Sequence, residues 1–109
     1  MKVLIVDDEP NVRSSLKGVL EDEGFSVLTA SNGEESLGII RKDKPDIVLL
    51  DVLMPGIDGI ETLRRIKNYD SSIIVLMISG HGTIDMAVKA MELGAMDFIE
   101  KPLSADRII

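Results

Sequence analysis

Residues 47–59 read Ile47-Val48-Leu49-Leu50-Asp51-Val52-Leu53-Met54-Pro55-Gly56-Ile57-Asp58-Gly59. Four consecutive apolar residues over Ile47–Leu50, with no polar alternation, predict a strand buried on both faces, as in a parallel sheet. The run stops at a carboxylate, Asp51. A loop punctuated by Pro55, Gly56 and Gly59 follows. Ile60, Leu63 and Ile66 then fall on one helical face. The unit is strand, loop, helix, with an acid where the strand ends.

The same unit recurs on both sides of this stretch. Val3-Leu4-Ile5-Val6 is an apolar run closed by Asp7-Asp8. Pro10 opens the helix after it, a favoured place for proline. Val12, Leu16, Val19 and Leu20 form that helix's apolar face, and Gly24 ends it. Phe25–Ala30 reads as a second strand. Ser31-Asn32-Gly33-Glu34 fits a capping box for a helix with Leu37, Ile39 and Ile40 inward. The cluster Arg41-Lys42-Asp43-Lys44-Pro45 stops it, with cations at the carboxyl end of the helix dipole.

Towards the carboxyl terminus, Ile73–Ile78 predicts a fourth strand running out at Ser79. Ser79-Gly80-His81-Gly82 is a tight loop. Ile84, Ala87, Val88 and Met91 give a helical face closed by Gly94, and Asp97–Glu100 a short fifth strand. Lys101-Pro102 reads as a turn and Ser104 as the cap of a fifth helix, of which Ile109 leaves little more than one turn. Five strands alternating with helices imply a doubly wound α/β fold, a parallel sheet covered on both faces by right-handed crossovers.

The chain has 109 residues, one domain's worth, here taken as 1–109. With 45% hydrophobic and 28% charged residues it is an ordinary globular composition. Aromatic residues are only 3%, so aliphatic side chains must build the core; Met77, Met86, Met91 and Met96 are expected to pack in it. Twelve cations against nineteen acids leave a net charge of −7, which argues against direct nucleic-acid binding and against an anionic membrane surface. The absence of cysteine excludes disulfides, thiolate catalysis and Cys-ligated metals. No run approaches the ~18 apolar residues of a membrane span, and the first apolar run is too short for a signal peptide. The expected location is the cytoplasm.

In such folds ligand chemistry gathers at the carboxyl ends of the strands. Here those ends carry Asp7, Asp8, Asp51, Ser79 and Lys101. Three carboxylates about 5 Å apart repel by roughly 3 kcal/mol per pair at an effective dielectric of ~20. Raised pKa values or a bound cation must offset that. Hard oxygen ligands with no Cys or His beside them favour Mg²⁺. A carboxylate held this way is also a plausible nucleophile toward phosphorus. Mg²⁺, Lys101 and the Ser79 hydroxyl could then hold the oxygens of a transferred phosphoryl group.

Asp7-Asp8, Asp51-Val52-Leu53-Met54-Pro55-Gly56-Ile57-Asp58-Gly59, Ser79-Gly80 and Lys101-Pro102, in that order at successive strand ends, resemble the receiver domain of two-component response regulators. The stretch from Ser79 to Leu103 is most similar to receivers of the nitrogen-regulator type. The resemblance implies a flavodoxin-like sheet of order 2-1-3-4-5, with helix five truncated here. It implies Asp51 as the phosphoacceptor from a sensor histidine kinase. Asp8 and Asp51 would bind Mg²⁺ with the backbone carbonyl of Leu53, and Asp7 would hold it through water. Ser79 and Phe98 would be the switch pair and Lys101 the phosphoryl-binding cation. It further implies a signalling switch rather than an enzyme, controlling a transcriptional output domain absent from this chain through the helix-four and strand-five surface. A homodimer through helix four, strand five and helix five is the oligomer it allows, and the chain is expected to be a fragment of a longer regulator.

Each residue also has a plainer role. Asp7-Asp8 could cap the first helix, Phe98 could be core, and Gly56 and Gly59 are expected to serve turn geometry. His81, the single histidine, is expected to face solvent. Leu53 is expected to hinder water and slow hydrolysis of a phosphorylated form. Two competing functions remain in view. A Mg²⁺-dependent aspartyl-nucleophile phosphatase would want a helper carboxylate at position 53. A flavodoxin-like cofactor carrier would want a hydroxyl- and glycine-rich phosphate loop where Asp7-Asp8-Glu9 stands.

Overall fold

The computed structural model describes residues 1–52, 56–79 and 84–100. Five strands, β1 (Lys2–Val6), β2 (Ser26–Ala30), β3 (Ile47–Asp51), β4 (Ile74–Ser79) and β5 (Asp97–Glu100), alternate with four helices. The helices are α1 (Pro10–Asp22), α2 (Gly33–Asp43), α3 (Gly59–Tyr69) and α4 (Ile84–Glu92). All four strand pairings are parallel and the order is β2-β1-β3-β4-β5, as expected. The expected fifth helix, with Ser104 as its cap, lies outside the described residues.

Strand alternation divides the core in two. Leu4, Val6, Val48, Leu50, Val75 and Met77 face α2, α3 and α4, meeting Leu37, Ile40, Leu63, Ile66 and Ala90. Val3, Ile5, Leu49, Ile78 and Ile99 face the other way, onto Leu16 and Leu20 of α1. β1 and β3 are buried on both sides, which is why their sequences show no polar alternation.

Several local expectations need correction. The second strand starts at Ser26, because the Phe25 N–H is spent on the Leu20 carbonyl in closing α1. The fourth starts at Ile74, because Ile73 still belongs to the turn in which its N–H donates to Asp70. The cap of α2 is Asn32, whose side chain accepts from the Glu35 N–H, while the Ser31 hydroxyl binds the Glu35 carboxylate. Val19 falls at the margin of the Leu16–Leu20 stripe and is exposed. In α4 the inward face is Met86 and Ala90, continued by Leu93 just beyond the helix. Val88 and Met91 lie on the opposite side, 51% and 47% exposed, and Met96 beyond the helix is 61% exposed. Apolar residues on both sides of α4 made its sequence fit two faces equally well. Of the four methionines expected in the core, Met77 and Met86 pack there and the other two do not.

Candidate functional site

The carboxyl ends of β1 and β3 are neighbours in the sheet, so the acids that follow them are brought together. The pairing Val6↔Leu50 sets Asp7 and Asp51 side by side in the chain direction. The Asp7 N–H extends the ladder to β2 by donating to Ala30. Val52 N–H does the same toward β4, donating to Ile78. Asp7 and Asp51 are buried, Asp8 is exposed, and one carboxylate oxygen from each of the three lies within 4.8 Å of the others.

Asp7 is held from two sides. Its Oδ1 accepts from the Glu9 N–H at 2.9 Å, which turns the chain into α1. The Arg13 guanidinium, one turn into α1, donates to the Asp7 main-chain carbonyl at 2.6 Å. The plainer role of Asp7-Asp8 as helix caps does not hold: the N-cap of α1 is Glu9, and no side chain caps it.

The end of β3 is held by a close approach. A Cβ on Gly59 would overlap the Asp51 carbonyl oxygen and stand 2.6 Å from Val52 Cα. The Gly59 N–H donates to the Val52 carbonyl at 2.8 Å. Gly59 therefore serves contact between α3 and the end of β3 rather than turn geometry. Gly56, with φ +81°, is the one that serves the turn. The Asp58 side chain caps α3 through the Glu61 N–H at 2.8 Å.

Ser79 closes β4 and is buried. Phe98, in register with Met77, is half-buried against the α2–α4 side of the core. Ser79 lies two residues beyond Met77, so it and Phe98 share one face of the sheet. Leu53, His81 and Lys101 lie outside the described residues. Sequence patterning missed Arg13 and the packing role of Gly59. The first left no trace beyond an arginine on an amphipathic helix; the second is visible only once α3 is laid on β3.

Three carboxylates so close suit a hard divalent cation. They offer oxygen donors only, two from strand ends that the sheet fixes and one exposed to solvent. With these acids at the carboxyl rim of a 2-1-3-4-5 sheet, residues 3–109 match the model of the response regulator receiver domain. The chain belongs to this family. Receiver domains are signalling switches of two-component systems.

The chain is 46% identical over 109 residues to the nitrogen assimilation regulatory protein NtrX of Azorhizobium caulinodans, covering 98% of this chain and 24% of that protein. It is 43% identical over 107 residues to sporulation initiation phosphotransferase F of Bacillus subtilis, covering 98% and 86%. The crystal structure of the receiver domain of NtrX from Brucella abortus superposes with a TM-score of 0.91 at 44% identity, covering 97% of this chain and 90% of that one. The chain thus spans about a quarter of the length of the first of these relatives and most of the second. Among the described residues no helix is long and apolar enough to cross a membrane.

Proposed function

We propose that Asp51 accepts a phosphoryl group from a phosphohistidine of a sensor kinase, and that the domain thereby switches the α4–β5 surface to control an output domain. The observation that carries this is the gathering of Asp7, Asp8 and Asp51 at one rim of the sheet, within 4.8 Å, in a receiver-family chain. An Asp51 carboxylate oxygen attacks phosphorus in line. A P–O bond forms, the P–N bond breaks, and the imidazole nitrogen leaves with the electron pair.

Asp8 and Asp51, with the Leu53 carbonyl, would hold Mg²⁺, and Asp7 would orient it through water. When bound, Mg²⁺ supplies charge neutralisation to the entering phosphoryl oxygens. Without it, the three acids would repel a dianion. Lys101 would pair a phosphoryl oxygen. The Ser79 hydroxyl would donate to another, and Phe98, on the same sheet face, would follow its movement. Phosphorylation adds about −1.5 to −2 charges, ample to bias such a pair.

The exposed Val88, Met91 and Met96 support α4–β5 as the surface that meets an output domain or a second receiver. The acidic balance supports a chain that does not itself touch nucleic acid. A cytoplasmic location fits a kinase partner and a transcriptional output.

Incubation with acetyl phosphate and Mg²⁺, followed by intact mass, tests the proposal. A single phosphoryl adduct is expected, lost in Asp51→Asn and lost on chelation. An adduct that survives either treatment would refute the assignment. Turnover of p-nitrophenyl phosphate would instead favour a phosphatase.

A further inference from the structure

Gly56 and Ile57 are gripped from α2. The Glu34 Oε1 accepts a hydrogen bond from the Ile57 N–H at 3.3 Å, across 23 residues of sequence. Gly56 makes room for this: a Cβ there would stand 3.1 Å from both Glu34 carboxylate oxygens. Next to Glu34, Gly33 packs onto the same place; its Cβ would lie 2.7 Å from Ile57 Cγ1 and overlap the Thr62 hydroxyl. Beyond Ile57, Asp58 caps α3 and Gly59 bonds Val52. Contacts therefore run unbroken from Glu34, through Ile57–Gly59, to the main chain of Asp51 and Val52.

Capping does not account for Glu34. Asn32 and Glu35 close the start of α2 between them and Ser31. Ion pairing does not either: among the described residues the ion pairs join Glu61 to Arg64 and Arg65. What Glu34 touches is the Gly56–Ile57 peptide.

We infer that Glu34 is a positioning residue for phosphorylation: by holding the Ile57 amide it steadies the seat of Gly59 on the Asp51 and Val52 main chain, and so sets Mg²⁺ affinity and labelling rate. This rests on Asp51 being the phosphoacceptor. Glu34 touches neither metal nor phosphoryl group, and its action is through the peptide.

The test compares wild type, Glu34→Ala and Glu34→Gln as full chains. Mg²⁺ midpoints are read from backbone amide shifts, labelling by acetyl phosphate from intact mass, and thermal midpoints as a fold control. Glu34→Ala should weaken Mg²⁺ binding and slow labelling about fivefold, within the range of one ordinary solvent-exposed hydrogen bond. Glu34→Gln, whose amide oxygen still accepts from Ile57, should stay within about twofold of wild type. Thermal midpoints should not separate the three.

Glu34→Ala that matches wild type in both readouts removes the inference and leaves Asp51 as acceptor. Glu34→Gln that falls with Glu34→Ala also overturns it, because charge rather than the bond is then felt. Wild type that binds Mg²⁺ but takes no label removes the acceptor, and the Mg²⁺ midpoints alone decide Glu34. A chain that binds no Mg²⁺ overturns both.

Discussion

The α-carbon of Gly59 rests against the main-chain carbonyl of Asp51, with no space between them for a methyl group. Helix α3 thus seats its first residue on the backbone at the end of β3. Gly59→Ala should force the two apart, costing about 1–3 kcal/mol as overpacking does. In an open helical site the same change would stabilise. Urea unfolding should show a lower midpoint with unchanged slope, and acetyl phosphate should label the variant more slowly. A variant as stable as wild type would mean that the contact relaxes freely.

The buried Gly33 makes the opposite contrast with Gly18 and Gly38. A Cβ at Gly33 meets Thr62 and Ile57, whereas at Gly18 and Gly38 it meets nothing within 4 Å. Both open glycines lie inside helices, where alanine is favoured by about 0.5–1 kcal/mol. Gly18→Ala and Gly38→Ala should each raise the thermal midpoint, by several degrees for a domain of this size. Gly33→Ala should lower it.

The crowding of Asp7, Asp8 and Asp51 should be felt as a stability penalty without metal. Asp51→Asn removes one member of the cluster and is expected to stabilise the metal-free protein, by about 1 kcal/mol once the exposure of Asp8 is allowed for. Mg²⁺ should stabilise wild type by an amount that grows with concentration, to about 2.7 kcal/mol at a hundredfold excess over Kd. A chelator should reverse this, and Asp51→Asn should respond weakly. Calorimetric melts of both proteins with Mg²⁺, without it and after chelation check all four.

Acid should act through two surface acids. Hydrogen bonds from Arg64 and then Arg65 lower the Glu61 pKa below its ordinary 4.5. The side-chain and backbone hydrogen bonds of Ser72 lower that of Asp70 below 3.8. A carboxyl group whose pKa is depressed by folding stabilises the native state above its unfolded value, and that contribution is lost as pH falls through the folded value. Stability should therefore fall below about pH 4.5, more steeply in wild type than in Glu61→Gln or Asp70→Asn. Both groups are solvent-exposed, so added salt should narrow the difference. Urea midpoints across pH 3 to 7 provide the measurement.

The sheet was legible because its strands are buried on both faces: Val3–Val6 and Ile47–Leu50 carry no polar residue. The strand order was not written in those runs; it came with the receiver resemblance. The acids were legible because a strand that ends on a carboxylate delivers it to the rim. The failures share one cause. Val19, Val88 and Met91 are apolar residues at helical spacing, and spacing cannot tell an inward stripe from an outward one when both exist. Gly59, Glu34 and Arg13 act across gaps of 6 to 23 residues or onto another element's backbone. Such contacts depend on how elements are laid together, which no local pattern records.

The spatial order of the strands also bears on how the protein is made. Asp7 follows β1, which takes its place between β2 and β3, and β3 has a bare edge until β4 joins it. A nascent chain that has not yet emerged through Ser79 can hold no settled pocket for a divalent ion. The crossovers that lead up to β4 must be complete first, and such non-local pairing is slow to assemble. The three acids are thus synthesised before the strand that secures their rim, and the cluster takes shape only once β4 has joined β3.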